Sequence, residues 1–272
     1  MAKRTKNTGI IVFVAMFLSL ILGIDNGLTA DLSSIIKKAR AKYAKFEKEV
    51  KDMTIVQQTK TDASGREMNS EIKMQRKGKK FRMEFKMDMP QTTGIPKGMS
   101  GMENIVIFDG KDSWMISSIM GKKKLTDKEG TKYETEKYWW ELISKKTEIA
   151  GTEKVGGRVC YILKAKEASE SPFTRMWLDK KNLTLVKGES KGSEGETMIL
   201  LHSDFKKIKG DWEIPYKTET YMNGKLMSTS LVKSIGINRG LSDDLFDPNK
   251  IKAKGSSMME MMKKMMQQRG KE

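Results

Sequence analysis

The 272-residue chain contains one cysteine, one histidine and five prolines. A single thiol cannot close an internal disulfide, and one Cys with one His cannot build a Cys/His zinc site. A Ser-His-Asp or Cys-His catalytic centre would have to run through His202 alone. Carboxylates are plentiful but scattered, so no acid/base pair stands out. The apolar run Ile10 to Ile24 falls short of the roughly 20 residues that a membrane-spanning helix needs.

Methionine and positive charge are in excess. There are 22 Met, and 52 Lys+Arg against 35 Asp+Glu give a net charge of +17. Ordinary cores are richer in Leu than in Met, and here Met is the commoner residue. Hydrophobic content is a modest 38%, yet apolar residues recur in periodic runs, which argues against disorder throughout. The length suffices for one sizeable domain or two small ones.

Lys3, Arg4 and Lys6 precede the Ile10–Ile24 run, Asp25-Asn26-Gly27 breaks it, and Ala30 offers a small residue before a cleavage point. That layout reads as a secretory signal peptide over 1–30, with an uncleaved inner-membrane anchor as the alternative. No Cys follows the run, so a lipid-attachment site is not expected there. The expected location is the periplasm. For an exported protein, a basic surface points to anionic membrane, lipopolysaccharide or an acidic envelope protein as partner, rather than nucleic acid.

Asp31 to Val50 reads as an amphipathic helix: Leu32, Ile35, Ile36, Ala39, Tyr43, Phe46 and Val50 share a face, and Asp31 or Ser33 can cap it. After it the period switches to two. In Phe81 to Met89 (FRMEFKMDM), Phe81, Met83, Phe85, Met87 and Met89 take one face and Arg82, Glu84, Lys86 and Asp88 the other. Hairpin signals follow at Asp109–Asp112, Gly156-Gly157, Asp179–Asn182, Lys209–Asp211 and Asn223-Gly224. About eleven strands at hairpin spacing, with no strand-helix-strand alternation, predict a mainly β (α+β) domain over 31–252, built on one curved antiparallel sheet or incomplete barrel. Pro90 to Glu103 reads as a loop, and Thr135 to Lys146 as a short helix presenting Trp139, Leu142 and Ile143.

The helix from Asp31, FDGKDSW at 108–114, MWLDKKNLTLVKGE at 176–189, DWEIPYKTETYMNGK at 211–225 and GLSDDLFDP at 240–248 together resemble the LolA/LolB-like superfamily, in particular the outer-membrane lipoprotein-sorting proteins. The resemblance implies a half-open β-barrel with a helical lid over an apolar cavity that holds an acyl chain or other hydrophobic cargo. It implies no catalysis and no cofactor. A lipid-sensing regulatory module that grips a membrane protein is the alternative. The carriers hold their closed state with a buried arginine, whereas the alternation puts Arg82 on the charged face.

Met side chains are unbranched and polarizable, suited to a cavity that adapts to varied chains. The expected cavity wall is Phe81, Met83, Phe85, Met87 and Met89, with Trp114 and Ile116 beside it. A second wall is Trp212, Ile214 and Tyr216, and Trp139 with Leu142 would sit on the lid. The competing reading of each is plain core.

Other candidates are weaker. Gly98-Met99-Ser100-Gly101 departs from the nucleophile-elbow pattern, because Met102 stands where Gly is required. Asp204 shares a face with His202 and can orient it. Cys160 is expected to pack as a small hydrophobe. The tail, 253–272, carries Met258, Met259, Met261, Met262, Met265 and Met266 on one helical arc. It reads as an interfacial or covering helix, with Cu(I) binding through Met258, Met261, Met262 and Met265 as the metal alternative and a disordered end as the third.

Overall fold

The computed structural model describes residues 31–63, 66–88, 101–117, 121–126, 138–143, 146–166, 172–192 and 194–251. The expected signal peptide, Met89, Ser100 and the Met-rich tail lie outside the described residues.

Helix α1 spans Leu32–Glu49, as the apolar stripe dictates. The Asp31 carboxylate accepts the Ser33 amide at 3.2 Å, which caps its N-terminus. Val50 leaves the helix in extended geometry. Asn238, itself at φ 53°, clamps that end: its amide donates to the Glu49 carbonyl and its oxygen accepts the Lys51 amide, both at 2.8 Å. The buried Asp52 carboxylate accepts the amides of Arg239 and Gly240 at 2.8 and 3.0 Å. The entry to the first strand and the exit from the last are thereby fastened together.

Thirteen strands follow: β1 Asp52–Ala63, β2 Arg66–Lys77, β3 Lys80–Asp88, β4 Gly101–Phe108, β5 Ser113–Ser117, β6 Gly121–Lys124, β7 Thr147–Val155, β8 Arg158–Ala165, β9 Arg175–Asp179, β10 Leu185–Lys191, β11 Thr197–Lys209, β12 Trp212–Met222 and β13 Lys225–Ile237. A four-residue helix, α2 (Trp139–Leu142), lies between β6 and β7, and a 3-10 turn, Asp243–Phe246, follows β13. All thirteen strands form one antiparallel sheet in the order β6-β5-β4-β3-β2-β1-β13-β12-β11-β10-β9-β8-β7. Its two edges, β6 and β7, do not pair with each other, so the barrel is open. The expected mainly β, half-open architecture is the one observed, with two more strands than the eleven expected. Gly101 to Glu103, expected in a loop, begin β4.

Trp139 donates its indole N–H to the Leu183 carbonyl at the β9–β10 turn, at 2.9 Å. Its neighbour Tyr138 nevertheless lines one cavity together with Phe108 and Ser113 of β4 and β5. In a flat sheet those strands stand eight and nine places from β9, about 40 Å at 4.8 Å per strand, so the sheet is strongly curved.

The pairing register assigns every strand residue to a face. Met53, Arg76, Phe81 and Phe108 are aligned across β1 to β4, as are Ile55, Met74, Met83 and Val106 one step along. Met53 and Ile55 pack with Phe46 of α1 and with Val50 just after it, which defines this as the inner face. At the other end of α1, Ile35 and Ala39 pack on Leu163, Met176 and Leu178 of β8 and β9. One helix therefore ties together the two halves of the sheet.

The outer face is covered as well. Arg82 aligns with Gln75 and Ile107, and Ile107 with Trp114, all on the face away from α1. Ile105, Ile107 and Ile116 are buried there under Phe246, with Trp114, Leu241 and Leu245 around them. Two expectations are corrected by this. Trp114 and Ile116 do not stand beside Phe81; they belong to a second core beneath the segment 241–251. Arg82 is not on a solvated face: it is 7% exposed, and it donates to the Leu245 carbonyl at 3.0 Å and to Glu84 at 2.9 Å.

Candidate functional site

Among the described residues, the inner face opens on each side of α1. On the β1–β4 side lies a cavity of about 610 Å³, lined by Met53, Ile55, Met74, Phe81 and Phe108 from the sheet, Tyr43 from α1 and Tyr138 beside α2. Arg76 and Lys79 stand at its border. Arg76 donates to the Tyr43 hydroxyl at 3.0 Å and pairs with Glu47 at 3.3 Å, so polar contacts fix the helix at the cavity beside the packing of Phe46 and Val50.

Met83, Phe85 and Met87 continue from Phe81 along the same inner face, opposite Met74, Ile72 and Ser70 of β2. All three are only half-buried. The strand pattern that predicted one apolar face is therefore observed, and that face is incompletely covered by the described residues.

The aromatic groups of α1 and α2 separate the two regions. Tyr43 meets Tyr138 at a centroid distance of 3.9 Å, and Tyr138 stacks on Trp140 at 4.6 Å. Trp139 is 6% exposed and belongs to the core with Ile35, Ala39 and Leu163. Leu142 lines a smaller pocket of about 250 Å³ together with Trp140, Leu185, His202, Trp212 and Ile214. Of the second expected wall, Trp212 packs with Phe46 and Ile214 reaches that pocket, while Tyr216 lies half-buried under the Lys206 ammonium, 4.2 Å from its ring centroid.

On the β7–β12 side, the hairpin turns at Gly156-Gly157, Lys180–Asn182 and Gly210-Asp211 open toward the C-terminal half of α1 and enclose a cleft of about 960 Å³. Its walls carry Lys42 and Lys45 of α1, Arg158, Lys180 and Lys181 from the β9–β10 turn, and Lys207 and Lys209 from the end of β11; Phe46 and Trp212 form its floor. In the sequence these turns read only as hairpin punctuation. The signal was strand direction: each of these hairpins turns at the end where α1 finishes, so their lysines converge.

Arg158 organises the cleft wall. It bonds Asp179 at 2.7 Å and Glu213 at 2.5 Å, and its guanidinium lies 4.1 Å from the Phe205 ring centroid. Burial alone would raise the Asp179 carboxyl, but the Asn182 amide, the Arg158 guanidinium and the Lys181 amide outweigh it and hold the pKa below the ordinary value. Glu213 behaves alike: burial pushes up, and bonds from Arg158, Asn182 and Thr184 pull it below the usual carboxylate range.

His202 is held by Thr218, Nδ1 to Oγ1 at 2.9 Å, and burial pushes its pKa down to about 4. Asp204 does not orient it: that residue is exposed at φ 50° and pairs with Lys206 at 3.2 Å. Cys160 is fully buried with Trp177 and Val186, and burial raises its thiol pKa, the opposite of an activated nucleophile. Among the described residues no group of three or more His, Cys, Asp or Glu is placed to hold a metal ion.

No family model matches the sequence, and a search of curated proteins gives no match. Solved structures do match. An outer membrane lipoprotein-sorting protein domain from Vibrio parahaemolyticus superposes with a TM-score of 0.52 at 13% identity, covering 79% of this chain and 95% of that one. A DUF1329 family protein from Desulfovibrio piger gives 0.52 at 16% identity, over 78% and 97%. A LolA superfamily protein from Nitrosomonas europaea gives 0.49 at 14% identity, over 82% and 100%. The chain has the LolA-like fold: an open, curved antiparallel half-barrel embracing an N-terminal helix.

Proposed function

We propose that this protein is a periplasmic, non-catalytic carrier that holds an acyl chain, of a lipoprotein or another lipid, on the inner face of its half-barrel for transfer toward the outer membrane. The observation that carries the reading is the incompletely covered apolar face of β3, where Phe81 lines a 610 Å³ cavity and Met83, Phe85 and Met87 continue from it half-buried. Apolar surface left open inside a fold is where a hydrophobic ligand gains most, at about 25 cal/mol per Å² removed from water. Met suits such a wall because it repacks around ligands of different shape. The outer membrane lipoprotein-sorting domain of the same fold supports the choice of cargo. The strong positive charge supports docking at anionic membrane surfaces.

The test is a neutral fluorescent acyl probe titrated into the protein and its Met83→Asp and Phe85→Asp variants. Each carboxylate would stand on the inner face next to the cavity, and binding is expected to fall at least about tenfold, since burying an unpaired charge costs several kcal/mol. Wild-type affinity in a folded variant would place the cargo elsewhere.

A further inference from the structure

The cleft between α1 and the hairpin turns carries more cations than its own carboxylates can neutralise. Asp179 and Glu213 are both taken by Arg158. Asp211 pairs with Lys207 at 3.7 Å, leaving Glu49 as the remaining acid of the wall. Lys42, Lys45, Lys181 and Lys209 have no ion pair among the described residues, and Lys180 rests 5.2 Å from the Tyr161 ring centroid.

Lys42 is the informative member of this set. It is half-buried, donates to the Asn182 carbonyl at 2.9 Å and sits 5.9 Å from the Trp212 ring centroid. Burial lowers its pKa although Glu213, Asp211 and Asp179 pull the other way. A partly desolvated ammonium without a counterion is a cost that a bound anion relieves.

The cleft adjoins apolar space. Lys42, Asn182, Trp212 and Glu213 line both the cleft and the smaller pocket bounded by Trp139, Leu142, Leu185 and Ile214. A charged opening, an aromatic floor and an apolar recess lie next to one another across these four residues. That sequence of environments matches an amphiphile: an anionic head followed by a hydrocarbon tail. Four unpaired ammonium groups exceed what one carboxylate neutralises, whereas a phosphate monoester carries about −1.5 to −2 charges with three acceptor oxygens. Lysine serves such a group as a compact point charge.

We propose that this cleft is a headgroup site that binds the phosphate of an anionic lipid between Lys42 and Lys45 of α1 and Lys181 and Lys209 of the facing turns. The proposal rests on the carrier reading for an acyl cargo, places the tail of a charged lipid in the recess beside Ile214 rather than on the β3 face, and adds the chemical class of the head. Cargo that binds here is selected by charge as well as by chain.

The experiment is isothermal titration calorimetry on the full chain with three probes: dihexanoyl phosphatidic acid, dihexanoyl phosphatidylcholine and inorganic phosphate. A neutral acyl probe is titrated in parallel. The wild type is expected to bind phosphatidic acid at least about tenfold more tightly than phosphatidylcholine, as charge-assisted bonds require. Lys42→Gln/Lys45→Gln should abolish that preference and spare the neutral probe. Lys181→Gln/Lys209→Gln carries the same test without altering α1, should the first pair fail to fold. Lys48→Gln/Lys233→Gln removes equal charge from exposed positions outside the cleft and should bind as wild type.

Equal affinity for the two lipids, or lysine variants with unchanged preference, overturns the site. Inorganic phosphate binding as tightly as phosphatidic acid overturns the lipid assignment. A wild type that discriminates the lipids but ignores the neutral acyl probe keeps the headgroup site and removes the acyl-carrier reading. The reverse pattern removes the site and keeps the carrier.

Discussion

Trp212 stacks on Phe46, with ring centroids 4.6 Å apart and planes 19° from parallel. The contact joins β12 to α1. One turn earlier on the helix, Tyr43 lies 6.2 Å from Phe46 and 5.5 Å from Trp212 while lining the opposite cavity. A single helical turn therefore has the charged cleft on one side and the apolar cavity on the other. Phe46 is 6% exposed, so Phe46→Ala is expected to destabilise by about 3–5 kcal/mol, seen as a lower urea midpoint at unchanged slope. A loss below about 1 kcal/mol would mean that α1 is not held by this contact.

The register separates inner from outer apolar residues, and binding should separate them too. Met83→Asp on the inner face is expected to eliminate acyl-probe binding. Trp114→Ala, on the outer face beneath Phe246, is expected to lower stability by about 3 kcal/mol while leaving probe affinity within about twofold in the folded fraction. Equal loss of affinity in both would contradict the face assignment.

Arg158 neutralises two buried carboxylates, so Arg158→Met should cost about 3–5 kcal/mol at neutral pH by leaving both unpaired. Asp179 and Glu213 have folded pKa values below their unfolded ones. Their contribution is complete above the unfolded values and is lost as pH falls through the folded ones. The gap between wild type and variant should therefore narrow as the buffer is taken below about pH 4. Urea midpoints measured at pH 7, 5 and 3 report it, and a constant gap would exclude the network as its source.

His202 gives a different acid signature. Its folded pKa of about 4 lies below the unfolded value, so the folded state resists protonation. Stability from this residue is full above about pH 6.5 and declines as pH falls toward 4, by up to about 3 kcal/mol. His202→Gln should flatten stability between pH 6.5 and 4.5, a window in which Asp179 and Glu213 are still ionised. An unchanged slope would show that His202 titrates normally.

If membrane docking is electrostatic, sedimentation with phosphatidylglycerol vesicles should fall steeply between 50 and about 500 mM salt, because screening shortens to a few ångströms. Salt-insensitive sedimentation would assign docking to apolar insertion instead.

Much of this fold is local in origin and so could be read from the chain. The alternation in Phe81 to Asp88, the turn residues, and the stripe of Ile35, Ala39 and Phe46 each follow from period and turn chemistry. What escaped was set at a distance. Strand β6 is Gly121 followed by three lysines, an edge strand whose charges protect it from further pairing and which shows no apolar alternation. Trp114 looks like a companion to Phe81 until Phe108 is paired with Ser113 across the four-residue turn, which puts Trp114 in register with Ile107 and Arg82. The burial of Arg82 depends on where residues 241–251 return, and no local pattern states that. The cleft was hidden for the same reason: its cations come from α1 and three separate hairpins, and only the common direction of those hairpins brings them together.

The most direct test of the acyl-carrier account is native mass spectrometry of the protein, expressed with export and released gently from the periplasm. The account expects added mass in a series spaced by acyl-chain increments, with the series lost in Phe85→Asp. A bare polypeptide mass, unchanged after incubation with lipid, would mean that the apolar inner face is core alone and would contradict the carrier function.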